Sequence, residues 1–187
     1  MRIISGNLKG SSLFYSKNKT IRPLKDLARE SIFNLLMHSN KFLFQFEKKN
    51  ILDLYAGTGS FGLECISRSC KEVNFVEKNK DATKMLEKNI EKLNVQNKAK
   101  IFLSDVFDFL KDQKFSLLKY DLIFCDPPFD SANINNLIEL ILKENILKKD
   151  GIIILHRNRI DKEVFSIKFK ILEERVYGLS KIIFGKF

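Results

Sequence analysis

From Ile51 onward the chain alternates between short apolar runs and longer segments with helical periodicity. Each apolar run has the length of a buried strand, and each helical segment carries apolar residues at helical spacing. Strands and helices that alternate in this way build a mainly parallel sheet covered by helices on both faces, which is the α/β class. The predicted strands are residues 51–54, 72–76, 100–103, 120–125 and 152–155, and the predicted helices are residues 61–69, 81–93, 106–111 and 134–142.

The last part of the chain departs from this alternation. Residues 168–176 and 181–187 both have strand-like composition, and the segment Tyr177-Gly178-Leu179-Ser180 between them is typical of a hairpin turn. Because a hairpin places its strands antiparallel, we expect the mainly parallel sheet to carry an antiparallel pair near one edge.

The residues before the alternation are predicted to form a small N-terminal extension. Two short strands around Gly6 would form a β-hairpin, and a helix begins after Pro23, a residue suited to the first turn of a helix. Many of the residues in this extension are Lys or Arg. We therefore divide the chain into a basic extension, residues 1–50, and a main domain, residues 51–187.

The charge balance indicates an anionic partner. The chain carries 33 Lys and Arg against 23 Asp and Glu, a net charge of +10, which favours a polyanion such as nucleic acid.

The three cysteines form no paired motif and the two histidines lie far apart, so we expect no metal site. No apolar stretch is long enough to span a membrane, and the first residues lack the apolar region of a signal peptide, so we expect a cytoplasmic protein.

A glycine-rich segment follows the first predicted strand and opens the next helix. Gly57, Gly59 and Gly62 match the pattern G-x-G-x-x-G, in which glycine lets the backbone turn tightly and approach a ligand. Glu77 ends the next strand, where a carboxylate binds the ribose hydroxyls in dinucleotide sites. A nicotinamide-dinucleotide oxidoreductase is therefore one interpretation of this segment.

Four acidic residues stand at or just after the carboxyl ends of consecutive predicted strands. They are Asp53, Glu77, Asp105 and Asp126. Because the carboxyl ends of parallel strands lie on one edge of a sheet, we expect these carboxylates to share one cleft. An extra anion is unfavourable beside a pyrophosphate, whereas it suits a cationic cofactor that carries adenosine. S-adenosylmethionine, with its sulfonium and ammonium groups, is such a cofactor.

The fourth predicted strand leads into Asp126-Pro127-Pro128-Phe129. Proline has no N–H and a fixed φ, and Pro128 also restricts Pro127 to extended geometry, so the chain leaves the sheet as a stiff segment. The carboxylate of Asp126, the carbonyl of Pro127 and the ring of Phe129 would then keep a fixed relation. Two acceptors and one aromatic face suit a planar group that donates N–H bonds and stacks, such as the amino group of a nucleobase.

With these motifs the chain resembles the class I S-adenosylmethionine-dependent methyltransferases, and more narrowly the RsmD family, which methylates the exocyclic N2 of one guanine in small-subunit (16S) ribosomal RNA. The resemblance runs nearly from end to end. The blocks that carry it are Met1 to Gly6 with Lys9-Gly10, Arg22-Pro23 through Glu30, Asp53 through Arg68, Phe75-Val76-Glu77, Asp126 through Phe129, and Tyr177-Gly178. Two positions depart from the family pattern, because Leu24-Lys25 replaces small hydroxyl residues and Phe129 stands where Tyr is commoner.

The resemblance implies a seven-strand Rossmann-like sheet with S-adenosylmethionine as the cofactor. It implies that Glu77 holds the ribose hydroxyls, that Asp105 holds the adenine amino group, and that the Gly57–Gly59 turn holds the methionine end. The expected cofactor contacts are Asp53, Tyr55, Ala56, Gly57, Thr58, Gly59, Glu77, Asp105 and Val106. The expected catalytic residues are Asp126, Pro127, Pro128 and Phe129, and the residues expected to contact RNA are Arg2, Lys9, Arg22, Lys25 and Arg29.

We therefore interpret the chain as a monomeric rRNA (guanine-N2-)-methyltransferase whose partner is small-subunit ribosomal RNA or the assembling small ribosomal subunit. A DNA adenine-N6 methyltransferase would use the same pair of acceptors, although the chain has no evident extra domain for target recognition. Two further classes of protein fit parts of the sequence, an oxidoreductase that binds a nicotinamide dinucleotide and a pure RNA-binding protein. A pure RNA-binding protein would have no use for the acids at the strand ends.

Overall fold

The computed structural model of the chain describes residues 1–15, 26–112, 114, 117–128, 134–162 and 164–187. Its strands are β1 (Asn50–Leu54), β2 (Glu72–Glu77), β3 (Ala99–Leu103), β4 (Tyr120–Cys125), β5 (Leu147–Asn158), β6 (Lys170–Tyr177) and β7 (Ser180–Lys186). The helices in the described ranges are α1 (Asp26–His38), α2 (Ser60–Ser67), α3 (Lys80–Lys92), α4 (Val106–Lys111) and α5 (Ile134–Lys143), with a short 3₁₀ turn at Gln96–Lys98. All seven strands form one sheet in the order β3-β2-β1-β4-β5-β7-β6.

This architecture confirms the predicted α/β class. Strands β1 to β5 pair in parallel, and β7 pairs antiparallel with both β5 and β6. The largest difference from the sequence prediction is β5, which begins at Leu147 and ends at Asn158. Its early residues 148–150 are charged and lie at the surface, which conceals the strand in the sequence pattern. Its last residues remain paired with β7, so the strand continues past the polar residue His156 to Asn158.

Alternate residues of each central strand enter two separate cores, one on each face of the sheet. In β4, Leu122 and Phe124 join the core that contains α2, whereas Ile123 and Cys125 join the core that contains α4 and α5. Phe124 stacks on Phe61 of α2 with ring centroids 3.9 Å apart. Because the central strands are apolar on both faces, polar side chains can reach solvent only at the strand ends.

The described residues of the N-terminal extension, 1–15 and 26–49, pack into the first of these cores. Ile3 of the extension and Phe33 of α1 are buried in the same cluster as Ile51 of β1. The predicted β-hairpin is a single antiparallel bridge between Arg2 and Ser12. The predicted boundary at residue 50 therefore marks a change of sequence pattern and does not separate two hydrophobic cores.

A buried carboxylate on α2 attaches the extension to the sheet domain. Glu64 is fully buried and accepts hydrogen bonds from the N–H of Ile4 at 2.7 Å and the N–H of Ser5 at 3.0 Å. The guanidinium of Arg68, one turn further along the chain, pairs with the same carboxylate at 3.0 Å. Both oxygens of Glu64 are thus occupied, and the first residues of the chain are held against α2.

The described residues hold three buried free cysteines, at positions 65, 70 and 125. Over the same part of the chain, no group of His, Cys, Asp and Glu is arranged to hold a metal ion. Nor do the described ranges include a helix with the length and apolarity needed to cross a membrane.

Candidate active site

The carboxyl ends of three adjacent strands bring three of the four acids together. β1 pairs with β2 on one side and with β4 on the other, so Asp53, Glu77 and Asp126 stand at neighbouring strand ends. Burial raises the pKa of Asp53 well above its usual range, and the negative charges of Asp126 and Glu77 raise it further. The electrostatic potential at this edge of the sheet is therefore negative.

Asp53 lies beneath the loop that joins β1 to α2. Its side chain is almost fully buried, and Oδ2 accepts a hydrogen bond from the N–H of Gly62 at 2.9 Å. Asp53 thus fastens the first turn of α2 to the end of β1. Asp53 is a predicted cofactor contact, and in the structure its carboxylate is buried and hydrogen-bonded to the backbone that follows the loop.

The loop itself has an unusual backbone. Tyr55 has a φ of +61°, and Gly59 has a φ of +83°. The positive φ of Gly59 favours glycine, and a Cβ there would lie 2.3 Å from the Cδ1 of Leu86, which would have to move. A tyrosine in the left-handed region is strained, and such strain is typical of functional loops that the surrounding structure holds in place.

The N–H groups of the three motif glycines all donate to acceptors within the protein. Gly57 donates to Oε2 of Glu77 at 2.8 Å, Gly59 donates to the carbonyl of Ala56 at 2.8 Å, and Gly62 donates to Asp53. Free backbone N–H groups at such a loop are what a dinucleotide pyrophosphate binds. The glycine N–H groups that would bind a pyrophosphate are thus already hydrogen-bonded within the protein, which argues against a nicotinamide-dinucleotide site.

Glu77 connects the loop to the end of β2. While Oε2 accepts from Gly57, Oε1 accepts from the N–H of Asn79 at 2.7 Å. Asn79 in turn caps α3, because its side chain accepts from the N–H of Asp81 and the N–H of Ala82. The carboxylate expected to hold a ribose is thus itself oriented by two backbone donors.

Asp105 caps α4 at the end of the neighbouring strand. Its Oδ1 accepts from the N–H of Phe107 at 2.9 Å, and Oδ2 lies 3.4 Å from the ammonium of Lys78. The N–H of Ser104 donates to the carbonyl of Glu77, which places this cap beside the end of β2. Val106 is buried in the second core, so its side chain has a packing role.

The sequence pattern gave no role to Asn89, which joins the N-terminal extension to the glycine loop. Asn89 is fully buried on α3; its Oδ1 accepts from the N–H of Phe14 at 2.7 Å, and its Nδ2 donates to the carbonyls of Phe14 and Thr58, each at 3.0 Å. One side chain therefore fixes both segments. In the sequence, the lysines that recur along this helix indicated a solvated face and gave no sign of a buried amide.

Asp126 lies just beyond β4, where its N–H donates to the carbonyl of Leu54 at 3.4 Å. Its side chain is 21% exposed, and Oδ1 lies 2.7 Å from Nδ1 of His156. Pro127 is buried and Pro128 is exposed, whereas Phe129 lies outside the described residues. A partly exposed carboxylate at the sheet edge is thus backed by a buried imidazole. His156 had no role among the sequence predictions; its signal is a polar residue that directly follows the apolar run of β5.

The residues expected to contact RNA differ in their exposure to solvent. Arg2 and Lys9 are exposed. Arg29 is fully buried and donates to the carbonyl of Arg2 at 2.6 Å, so we withdraw it from the set of phosphate contacts and assign it a structural role. The remaining two candidates, Arg22 and Lys25, lie outside the described residues.

Comparison with known proteins finds similarity along the whole chain. The family described as "Conserved hypothetical protein 95" matches residues 1–186. "Ribosomal RNA small subunit methyltransferase D" of Haemophilus influenzae is 31% identical over 180 residues, which are 96% of this chain and 90% of that protein. The protein of the same name from Buchnera aphidicola (subsp. Baizongia pistaciae) is 32% identical over 163 residues, covering 87% and 79% of the two chains. The solved structure of yhhF from Escherichia coli superimposes with a TM-score of 0.84 at 25% identity and covers 99% of this chain and 96% of that one.

Proposed function

Because the chain belongs to the family described as "Conserved hypothetical protein 95", the RsmD family of the sequence analysis, we propose that it methylates ribosomal RNA of the small subunit. The methyl donor is S-adenosylmethionine, and the acceptor is the exocyclic N2 amine of a guanine. The observation that carries this proposal is the carboxylate of Asp126, which stands partly exposed at the sheet edge beside the loop that Glu77 orients.

The side chains at this edge suit S-adenosylmethionine, which supplies an electrophilic methyl group on a positively charged sulfur. The carboxylates of Asp53, Glu77 and Asp126 interact electrostatically, and a cationic ligand offsets their mutual repulsion. A dinucleotide would bring a pyrophosphate into the same negative field and would meet glycine N–H groups that are already hydrogen-bonded. Glu77 would hold the ribose, and Asp105 would lie near the adenine.

Asp126 would act on the target amine. The lone pair of a guanine N2 is delocalised into the ring, so the nitrogen is a weak nucleophile. When a carboxylate accepts one of its hydrogens, the nitrogen can turn its lone pair towards the methyl group, and the carboxylate stabilises the positive charge that develops. The carbonyl of Pro127 would accept the second hydrogen, and Phe129 would stack on a base that has left its helix. These contacts would align the amine for in-line transfer, in which the N–C bond forms as the sulfonium S–C bond breaks. S-adenosylhomocysteine would leave, and the surplus proton of the methylated nitrogen would pass to the carboxylate of Asp126 and then to solvent.

The first prediction concerns the cofactor. Glu77→Ala should weaken S-adenosylmethionine binding by about ten- to a hundred-fold, because charge-assisted hydrogen bonds contribute roughly 1.5–3 kcal/mol each and this carboxylate orients both the loop and the ribose. Isothermal titration calorimetry measures the change. The matched control is Glu72→Ala at the opposite end of the same strand, where Glu72 forms an ion pair at 2.8 Å with the exposed Lys100. Equal affinities in the Glu77 and Glu72 variants would remove Glu77 from the cofactor site.

The second prediction concerns the RNA. We propose that the basic extension binds RNA phosphates, and that Arg2 and Lys9 supply two of the contacts. Arg2→Glu with Lys9→Glu should weaken RNA binding and reduce the slope of log affinity against log salt by roughly 0.7–0.9 per lost contact. S-adenosylmethionine affinity should not change. The control is Lys143→Glu with Lys149→Glu, which makes the same change of charge at exposed positions of α5 and β5, outside the extension.

Salt-dependent binding measurements on both double variants separate a local contact from a general effect of net charge. If the slope of log affinity against log salt falls by the same amount in both variants, the extension has no special role in RNA binding. If the extension variant loses thermal stability and keeps the wild-type slope, Arg2 and Lys9 are structural residues.

The test of the function itself is a map of modified nucleosides in small-subunit ribosomal RNA from cells with and without the gene. We expect one N2-methylguanosine to disappear on deletion and to return when the gene is restored. Loss of an N6-methyladenosine instead would change the assigned target atom, since the same acceptors suit an adenine amine. An unchanged map would contradict the proposal.

A further inference from the structure

We propose that His156 is a positioning residue for Asp126, and that Ser180 in turn orients His156. The inference rests on the proposed function, because it assumes that the Asp126 carboxylate receives the target amine. It assigns a role in methyl transfer to two residues that lie behind the site and need not touch the RNA or the cofactor.

Three side chains form a continuous hydrogen-bonded row. Oδ1 of Asp126 lies 2.7 Å from Nδ1 of His156, and Nε2 of His156 lies 2.8 Å from Oγ of Ser180. The exposed fraction of the side chain is 21% for Asp126 and 7% for His156, and Ser180 is buried. The row therefore begins at the open edge of the site and ends inside the protein.

The strand register explains why these residues meet. Cys125 of β4 is paired with Leu155 of β5, so the residues that follow them, Asp126 just beyond β4 and His156 within β5, stand beside one another. On the other side of β5, His156 pairs with Ile182 of β7, which places Ser180 diagonally across on the same face of the ladder. The row is thus supported by backbone pairing on both sides.

The direction of the hydrogen bonds follows from the chemistry of the carboxylate. A carboxylate can only accept, so Nδ1 of His156 must carry the hydrogen. In the neutral imidazole Nε2 is then the acceptor, and the hydroxyl of Ser180 donates to it. Ser180 selects the tautomer that keeps a donor aimed at Asp126.

This arrangement divides the two oxygens of Asp126 between two tasks. Oδ1 is held by His156, and among the residues that the structure describes no donor contacts Oδ2. A partly exposed carboxylate without such support rotates about its Cβ–Cγ bond and presents its oxygens in many directions. With Oδ1 held, Oδ2 keeps a single orientation towards the place where the amine enters. His156 therefore sets the alignment on which the transfer rate depends.

Two substitutions of His156 distinguish this role from simple packing. In His156→Asn the side-chain amide can take the place of Nδ1 and donate to Asp126, whereas in His156→Gln the longer amide takes the place of Nε2 and reaches Ser180. Both side chains are polar and of similar size. We expect His156→Asn to keep most of the single-turnover methyl-transfer rate and His156→Gln to lose about ten- to a hundred-fold, with S-adenosylmethionine affinity and KM for RNA unchanged in both. Ser180→Ala should reduce the rate by a smaller factor.

The rate is measured with S-adenosylmethionine and small ribosomal subunits from cells that lack the gene, and the fold of each variant is checked by its melting temperature. Equal rates for His156→Asn and His156→Gln, whether high or low, would overturn the inference. So would a change in KM or in cofactor affinity in place of the change in rate.

The failure of this inference differs from the failure of the proposed function. If Asp126→Asn is inactive while His156→Gln transfers at the wild-type rate, the acceptor role of Asp126 stands and the role of His156 is wrong. If Asp126→Asn is fully active, the proposed chemistry is wrong, and with it the basis for the inference. In the double variant Asp126→Asn, His156→Gln, we expect no further loss beyond that of Asp126→Asn, because His156 acts only through the carboxylate.

Discussion

Asp126→Asn should lower the single-turnover rate of methyl transfer by about 10²- to 10³-fold, the effect of removing one preorganised electrostatic contact from a transition state. Asparagine keeps the size of the side chain and one acceptor oxygen, but it loses the negative charge that stabilises the cation developing on the attacking nitrogen. S-adenosylmethionine affinity should change little, since the assigned role of the carboxylate is towards the amine. Rapid-quench transfer and calorimetry on the same preparation measure the two quantities separately.

The matched control for this variant is Asp121→Asn, at the amino end of the same strand. Asp121 is largely buried there and accepts from Lys148 at 2.7 Å and from the N–H of Asn50 at 2.9 Å. Burial raises the pKa of Asp121, but the hydrogen bonds from Lys148, Asn50 and Lys49 outweigh it, and the pKa is lowered. The ionised side chain therefore stabilises the fold at neutral pH, and this contribution is lost as the pH falls through the lowered pKa.

We expect Asp121→Asn to reduce the free energy of unfolding at pH 7 and to leave the single-turnover rate of the folded protein unchanged. The two variants together distinguish an acid that affects the rate of methyl transfer, Asp126, from an acid that affects only the stability of the fold, Asp121. If Asp126→Asn transfers the methyl group at close to the wild-type rate, the acceptor role assigned to this residue is wrong.

Glu64→Ala should reduce the free energy of unfolding by about 3–5 kcal/mol, the range for removing one partner of a buried ion pair. The variant leaves the guanidinium of Arg68, whose side chain is only 9% exposed, without its carboxylate. It also removes the acceptor of the N–H groups of Ile4 and Ser5, which lose their bonds to α2. Urea unfolding at equilibrium, followed by circular dichroism, gives the change.

The control for this measurement is Glu87→Ala, an exposed position on α3, where we expect a change within about 0.5 kcal/mol. The comparison also decides how the N-terminal extension is used. The sequence pattern divided the chain at residue 50 into an extension and a main domain, whereas the shared core and Glu64 indicate that the two are stabilised together. If Glu64→Ala unfolds at the same urea concentration as the control, the hydrogen bonds between Glu64 and the extension contribute nothing measurable to the fold.

The periodicity of the sequence was sufficient for the order and type of the main elements. Strands with apolar residues on both faces and helices with one apolar stripe are local patterns, and β4 and α4 were predicted with the bounds that the structure has. The positions of the acids followed from the same logic, because parallel strands in one sheet must end on the same edge. Asp53, Glu77, Asp105 and Asp126 were therefore expected along one edge from the sequence alone, whereas the strand order in the structure makes Asp53 the neighbour of both Glu77 and Asp126.

Only the tertiary structure decided what each of these side chains contacts. Arg29, a predicted RNA contact, is buried because α1 packs into the core of the sheet, and Asp53 is covered by the loop that it holds. The row from Asp126 through His156 to Ser180 joins residues that are 30 and 24 positions apart in the chain. Their meeting depends on the strand order and register of β4, β5 and β7, which are set by packing between distant segments. Local periodicity specifies which residues form a strand and which face is apolar, but it carries no information about which strand end lies next to which.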